Sequence, residues 1–333
     1  MKKYKICKIL LVILAIFLCV AFYELLGICV AYKKQPEVSN TTKKETKNGS
    51  WNECSENTER AVIIEKNPEA LLQRVRLIKN AKKEIILSTF AFQSDESGKL
   101  ILGALHDAAD RGVHIRLLVD GMESWIDMEG NPYFYGLSSH ENVEIKLYNK
   151  ANPLKPWKIM GRMHDKYLIA DGKRYILGGR NTYNYFLGDF PGHKNYDRDV
   201  LVVCDEPEKE NSVNQLLEYF ETIWEQEDSG YFHDNKKLAN RKSVKNAVLE
   251  LQNGYQKYFE ENKERICDTD YTDETFETEK IALVSNPIHT GSKEPVVWYQ
   301  LGELMKNAKN RVKIHTPYII CNDMMSVSYT HLT

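Results

Sequence analysis

The sequence predicts an α/β fold: a mixed sheet flanked by helices, followed by the start of a second lobe of the same kind and preceded by one transmembrane helix. Three observations carry that prediction. From residue 61 onward, short apolar strand patterns alternate with amphipathic helical ones. A helix-into-strand stretch recurs once, far along the chain. Near the N-terminus lies an unbroken apolar run. With 333 residues, of which 42% are hydrophobic and 28% charged, the chain can bury one substantial core and part of another.

The first element is the membrane segment. Lys2, Lys3, Lys5 and Lys8 precede residues 9–31, about 23 mainly apolar residues interrupted only by Glu24, which is long enough to span a bilayer. A cleaved signal peptide ending at the small residues Cys29-Val30-Ala31 is the alternative, but the run is longer than a usual signal core. Residues 1–34 are therefore expected to be an anchor, with the N-terminus inside and the body extracytoplasmic. Lys33, Lys34, Lys43, Lys44 and Lys47 weaken that orientation by balancing the leading lysines. Residues 35–60, polar and rich in Lys, Asn, Thr and Ser, are expected to be a flexible stalk.

The first lobe is expected over residues 61–228. Within it, 84–90 reads as a buried strand, 99–111 as an amphipathic helix ended by Gly112, and 113–120 as the next strand. Further strands follow at 143–148 and 200–204, with a hairpin between them and a helix over 212–226. Residues 229–279 read as a connector with a helix over 244–264 and an acidic, Thr-rich run, 268–279, expected to be a solvated loop. Residues 280–333 start the second lobe: Leu77-Ile-Lys-Asn-Ala-Lys82 is echoed by Leu304-Met-Lys-Asn-Ala-Lys309 at an offset of 227 residues. Seven cysteines show no C-x-x-C and no zinc spacing. They imply no disulfide framework, with at most one pair among Cys54, Cys267 and Cys321.

The hairpin carries the chemistry. Met163-His-Asp-Lys-Tyr-Leu-Ile-Ala-Asp171 has the spacing H-x-K-x4-D and is followed by Gly178-Gly179-Arg180-Asn181. Alternate strand residues share a face, so His164 and Lys166 can meet one phosphate together. Asp171 lies an odd number of residues from both and begins an Asp-Gly pair typical of a tight hairpin turn, so it is expected to hold the hairpin rather than touch substrate. Gly178 and Gly179 are expected to let the backbone approach a phosphate, and Asn181 to hydrogen-bond a phosphoryl oxygen. An imidazole nucleophile beside fixed positive charge suits phosphodiester displacement without a metal or cofactor.

Residues 61–227 resemble the first half of a phospholipase D superfamily enzyme and are most similar to bacterial cardiolipin synthases. The resemblance rests on Ser88-Thr-Phe-Ala-Phe-Gln-Ser-Asp95, Ala108-Ala-Asp-Arg-Gly-Val-His-Ile-Arg-Leu-Leu-Val-Asp120, the motif itself and Tyr196-Asp-Arg-Asp-Val200. It implies a covalent phosphohistidine on His164, with Lys166, Asp171 and Asn181 in support and Asp197 or Asp199 orienting the imidazole. A second motif's histidine would protonate the leaving alcohol. No second H-x-K-x4-D is present. The repeat offset would place its histidine near position 391, so the chain is expected to be truncated, with residues 326–333 resembling adaptor read-through; a homodimer is the other way to supply two motifs.

Charge bears on the substrate. Without residues 1–34 the chain has 39 basic and 46 acidic residues, which argues against general nucleic-acid binding. Residues 146–174 alone carry a net of +6, with Trp157, Ile159 and Met160 interleaved, which suits an anionic lipid surface. The expected activity is a membrane-anchored phosphatidyltransferase of cardiolipin synthase type acting on an anionic phospholipid such as phosphatidylglycerol. The alternatives are a phospholipase D hydrolase releasing phosphatidic acid, a nuclease, and a one-lobe non-catalytic membrane protein.

Overall fold

The structure, a computed structural model, describes residues 2–31, 33, 36–49, 59–204, 211–233 and 235–314. Its first helix, α1 (Lys2–Ala31), presents exposed apolar side chains along most of its length. Lys5–Ala31 is long and apolar enough to cross a membrane, with mean hydropathy 2.9 in its most apolar window. Part of the expected stalk is not a free linker. Ser39 caps α2 (Asn40–Asn48) by accepting from Thr42 N–H, and Gly49 closes it at φ +75°. Thr42 and Thr46 are buried, and Thr42 Oγ1 donates to Glu294 at 2.7 Å. Those contacts come from residues distant in sequence, which polar composition does not reveal.

The lobe begins two residues earlier than expected, with β1 (Glu59–Ile64), then α3 (Asn67–Asn80), β2 (Glu84–Thr89), α4 (Glu96–Asp110) and β3 (His114–Asp120). β2 is buried on both faces from Ile85 onward, as an inner strand requires. Asp95 starts α4 by accepting from Gly98 N–H at 3.0 Å, and Gly112 at φ +88° takes the chain out of it. Two short helices, α5 (Gly121–Asp127) and α6 (Pro132–Ser138), lead to β4 (Val143–Tyr148). The hairpin is β5 (Tyr167–Ala170) and β6 (Arg174–Gly178), turning at Asp171 (φ +55°) and Gly172 (φ +62°). Two successive positive φ values are what an Asp-Gly turn provides. β7 (Asp199–Cys204), α7 (Ser212–Trp224) and β8 (Ser229–Tyr231) follow.

Among the described residues the strands form one nine-stranded mixed sheet, ordered β8-β4-β3-β2-β5-β6-β7-β1-β9. β2, β3 and β4 run parallel, while β5, β6, β7 and β1 are successively antiparallel. One face packs on α3, α4 and α6 through residues such as Leu71, Ile101 and Leu105, and α8 (Lys242–Glu261) packs in turn on α4 and α6 with residues such as Leu251. The other packs on α7 through Val213, Leu216, Phe220 and Trp224.

The acidic run after α9 (Lys263–Cys267) is a largely exposed loop, as expected, but it is tied to the lobe, with Tyr271 and Thr275 buried. Arg76, fully buried on α3, donates to Asp268 O at 2.8 Å and Asp270 O at 2.6 Å, pairs with Glu274 at 2.9 Å and lies 3.9 Å over the Tyr271 ring. β9 (Phe276–Glu277) then adds to β1 at the sheet edge. The buried arginine is the physical reason, since its donors need acceptors once out of water.

The helix end of the sequence repeat is present: α3 ends at Asn80 and α10 (Val296–Lys306) one residue short of the matching Asn307. Residues 311–314 form no strand, and the tail from 326 lies outside the described residues. Cys7, Cys19, Cys29, Cys204 and Cys267 form no disulfide; Cys54 and Cys321 lie outside the described residues.

Candidate active site

Strand pairing assembles the site. Ser88 at the end of β2 lies opposite Tyr167 at the start of β5, and β3 runs parallel to β2, so Asp120 reaches the same edge. Gly178 at the end of β6 pairs with Asp199 at the start of β7. Five neighbouring strands therefore begin or end at one edge, where the parallel half of the sheet gives way to the antiparallel half.

His164 stands at this rim, exposed, with its ring 4.7 Å from that of Phe90 in a tilted stack. Lys166 is buried beneath it. Its Nζ donates to His164 O at 2.6 Å and lies 5.3 Å from the Phe90 ring. Partial burial, and then the Lys166 cation, hold the His164 pKa below its ordinary value against the opposing pull of Asp120. Burial pushes the Lys166 ammonium down to about 8, with Asp165, Asp197 and Asp120 opposing. At neutral pH the pair is thus a bare imidazole and a mostly charged ammonium, the protonation states phosphodiester attack needs.

The carboxylate whose field reaches His164 is Asp120, not the ones the resemblance suggested. Wholly buried at the end of β3, Asp120 caps α5 through Met122 N–H at 3.0 Å, accepts Met163 N–H at 3.1 Å and pairs with Arg162 through Nε at 2.9 Å. Arg162 Nη1 also donates to Asn149 O at 3.2 Å. Asp120 accordingly fixes the two residues that lead into His164. Its position at the end of a buried strand was the available sequence signal.

Most of the other expected site residues maintain the frame. The Asp171 carboxylate accepts from Lys82 N–H at 2.9 Å, Lys83 N–H at 2.7 Å and Glu84 N–H at 3.0 Å, tying the hairpin turn to the start of β2. It lies at the far end of β5 from His164 and Lys166, which precede the strand instead of sharing a face of it as expected. Asn181 is buried, and its Oδ1 accepts from Ala91 N–H at 3.1 Å, which orients the amide and leaves its NH2 end as a donor. The glycine pair has a different cause from the one expected. A Cβ on Gly178 would run into Asp199 Oδ1, and one on Gly179 into Asp197 Oδ2. Gly178 N–H is also taken, by Lys166 O at 3.1 Å. The two glycines make room for acids behind the hairpin.

Of those acids, Asp199 is fully buried and its carboxylate lies 2.9 Å from Arg74 and 3.3 Å from Arg180. It holds α3 and β6 to β7 and is not free to orient an imidazole. Asp197 accepts from Arg198 N–H at 2.7 Å and contributes to the field at Lys166, with no hydrogen bond to His164.

Asp165, between His164 and Lys166, brings further polar groups to the same cleft. Asp165 accepts the Tyr219 hydroxyl at 2.7 Å, and burial raises its carboxyl above the ordinary range. Lys293, a residue the sequence pattern did not single out, lowers that carboxyl again and is itself pushed down by burial. Arg162, His164, Asp165, Lys166, Tyr219 and Lys293 line one cleft of about 360 Å³. Among the described residues no three His, Cys, Asp or Glu side chains are grouped as a metal ligand set.

The local excess of positive charge is smaller than counting implies. Lys158 pairs with Asp228 at 2.6 Å, Lys146 donates to Trp224 O at 2.9 Å, and Arg162 is matched by Asp120. Asp228 and Asp120 lie outside the basic stretch, so only the fold brings the counter-charge.

Residues 74–224 match the family described as the phospholipase D-like domain of cardiolipin synthase. An uncharacterised protein of Helicobacter pylori (strain J99) is 30% identical over 212 residues, covering 59% of this chain and 39% of that protein. Cardiolipin synthase C of Escherichia coli (strain K12) is 29% identical over 171 residues, covering 47% of this chain and 34% of the synthase. The match thus spans well under half the length of these relatives. Phosphatidylserine synthase from Haemophilus influenzae Rd KW20 shares the fold, with TM-score 0.56, 16% identity, and coverage of 88% of this chain and 63% of that one.

Proposed function

We propose that this chain, which belongs to the phospholipase D superfamily, is part of a membrane-anchored phosphatidyltransferase of cardiolipin synthase type. The supporting observation is the exposed neutral imidazole of His164 set above the buried ammonium of Lys166, on a lobe similar to that of cardiolipin synthases. The bare ring nitrogen of His164 attacks the phosphorus of a phosphatidylglycerol molecule. The bond from phosphorus to the headgroup glycerol breaks, and phosphatidyl-histidine forms. Lys166 and the Asn181 amide stabilise the charge that gathers on the phosphoryl oxygens. The hydroxyl of a second phosphatidylglycerol then attacks phosphorus, the histidine leaves, and cardiolipin results. A second motif, on a second lobe or in a homodimer, is the expected source of the proton for the leaving glycerol.

In this reading residues 61–228 are the catalytic lobe, 229–279 the connector and 280–333 the start of a second lobe, and the body lies on the extracytoplasmic side. No metal or cofactor takes part. The test is incubation of the complete gene product with phosphatidylglycerol vesicles in EDTA. New cardiolipin that disappears in His164→Ala supports the transferase. Phosphatidic acid alone makes the chain a hydrolase. DNA cleavage without any lipid product, or loss of activity restored only by a divalent ion, overturns the assignment.

A further inference from the structure

The loop that joins β4 to the catalytic strand is also where α1 meets the body of the protein. Glu24, Gly27, Ile28 and Ala31, at helical spacing, are the partly covered residues of α1, whereas residues 5–23 are exposed throughout. A Cβ on Gly27 would come within 2.5 Å of Pro156, Tyr23 Oη donates to Leu154 O at 2.9 Å, and Ser292 Oγ donates to Ala31 O at 3.2 Å. Glu24, the one charge inside the apolar run, lines a small cleft together with Lys150, Lys155 and Lys158. The uncovered apolar stretch, residues 9–23, is therefore about 22 Å long at the helical rise, and the Lys5 and Lys8 side chains before it can reach on to the opposite interface, so that together they match the roughly 30 Å hydrocarbon core of a bilayer.

That match fixes the depth of everything attached to the helix end. With the uncovered residues in hydrocarbon, Tyr23 lies at the interface, and the loop bonded to it lies at headgroup level. Leu154 is 76% exposed, Met160 60% and Trp157 44% in this loop, a costly surface to leave in water and one suited to the interface. Arg162, which ends the loop, is held by Asp120 two residues before His164.

We infer that Leu154, Trp157 and Met160 insert into the surface of the same bilayer that holds α1, with Lys155 facing anionic headgroups while Lys150 is held by Tyr231 O at 2.6 Å. The catalytic rim is thereby held against the membrane, so that a lipid reaches His164 without leaving it. The last step rests on the proposed function; the docking itself does not.

Tryptophan quenching by brominated lipid tests this in the full chain reconstituted in phosphatidylglycerol–phosphatidylcholine vesicles. Subtracting the emission of Trp157→Phe from that of the wild type isolates Trp157, and the same subtraction with Trp224→Phe isolates a buried control. The Trp157 signal is expected to fall at least twofold in brominated vesicles, while the Trp224 signal stays the same. An unchanged Trp157 signal, with the chain still resistant to alkaline extraction and Trp157→Phe melting like wild type, overturns the inference. Quenching with no phosphatidyl transfer leaves the docking intact and counts against the proposed function alone.

Discussion

The two ends of one hairpin use their polar groups in opposite ways. At the turn, both carboxylate oxygens of Asp171 accept backbone amides, from Lys82, Lys83 and Glu84, and all three donors are local to the start of β2. At the open end, His164 carries a ring that meets only Phe90 and forms no hydrogen bond among the described residues. The Lys166 ammonium has one short bond, to a main-chain carbonyl, and no ion pair among the described residues. Both ends belong to the same H-x-K-x4-D spacing. Groups with all their capacity occupied hold structure; groups held in place with capacity to spare can act on a ligand.

The sharpest way to break this comparison is His164→Ala. In the complete protein it should lower the rate of phosphatidyl transfer at least about a thousandfold, about 4 kcal/mol of barrier, with no shift in melting temperature. Retention of most activity would remove His164 from the role of nucleophile.

The buried cluster behind the glycines should respond in the reverse sense. Asp199→Asn leaves Arg74 and Arg180 buried without their counter-charge and should destabilise the lobe by about 3 kcal/mol, read as a fall in denaturation midpoint. A variant as stable as wild type but inactive would mean that Asp199 acts in catalysis after all.

Asp171→Asn sharpens the contrast within the motif. The amide replaces a charge-assisted acceptor for three N–H groups, at an expected cost of about 1–2 kcal/mol, while kcat at low temperature should change less than about threefold. If the variant melts like wild type and yet fails to turn over, the division between the two ends is wrong.

The smallest effect is on pH dependence. Attack needs neutral His164 and charged Lys166. Because the His164 pKa is held below its ordinary value, the acid limb of kcat/KM should lie below the usual histidine range. With the Lys166 pKa at about 8, the rate should decline as pH rises through that value and the ammonium is lost. Lys166→Arg should move the alkaline limb upward; an unmoved limb would assign it to another group.

Much of the frame was legible in the sequence because it follows from short-range rules. Apolar periodicity located β2, α4, β3, β4 and α7, and the Asp-Gly pair located the turn, since both φ values there are positive. Strand alternation was the expected reason for separating Asp171 from His164 and Lys166, but those two lie just before β5 and Asp171 just after it, so they are separated by the length of the strand and not by its pleat. Other assignments were not legible, because each depends on a partner far along the chain. Asp199 was expected to orient the imidazole, but α3 brings Arg74 to it. The glycine pair was expected to admit phosphate, but the register of β6 with β7 puts two carboxylates where side chains would be. The acidic run is largely exposed as expected, but Arg76 ties it to the lobe.

By itself, then, the sequence determined which residues have the chemistry for phosphodiester attack, that a hairpin turning at Asp171-Gly172 follows them and that a membrane-length helix precedes them. Periodicity, turn conformation and residue type are local, and no tertiary contact is needed to read them. The tertiary structure alone decided which carboxylate acts on His164, which charges are cancelled and which loop the end of α1 meets. Those depend on pairings across the sheet and between segments more than a hundred residues apart, as between Tyr23 and Leu154, where only the folded chain brings the groups within reach.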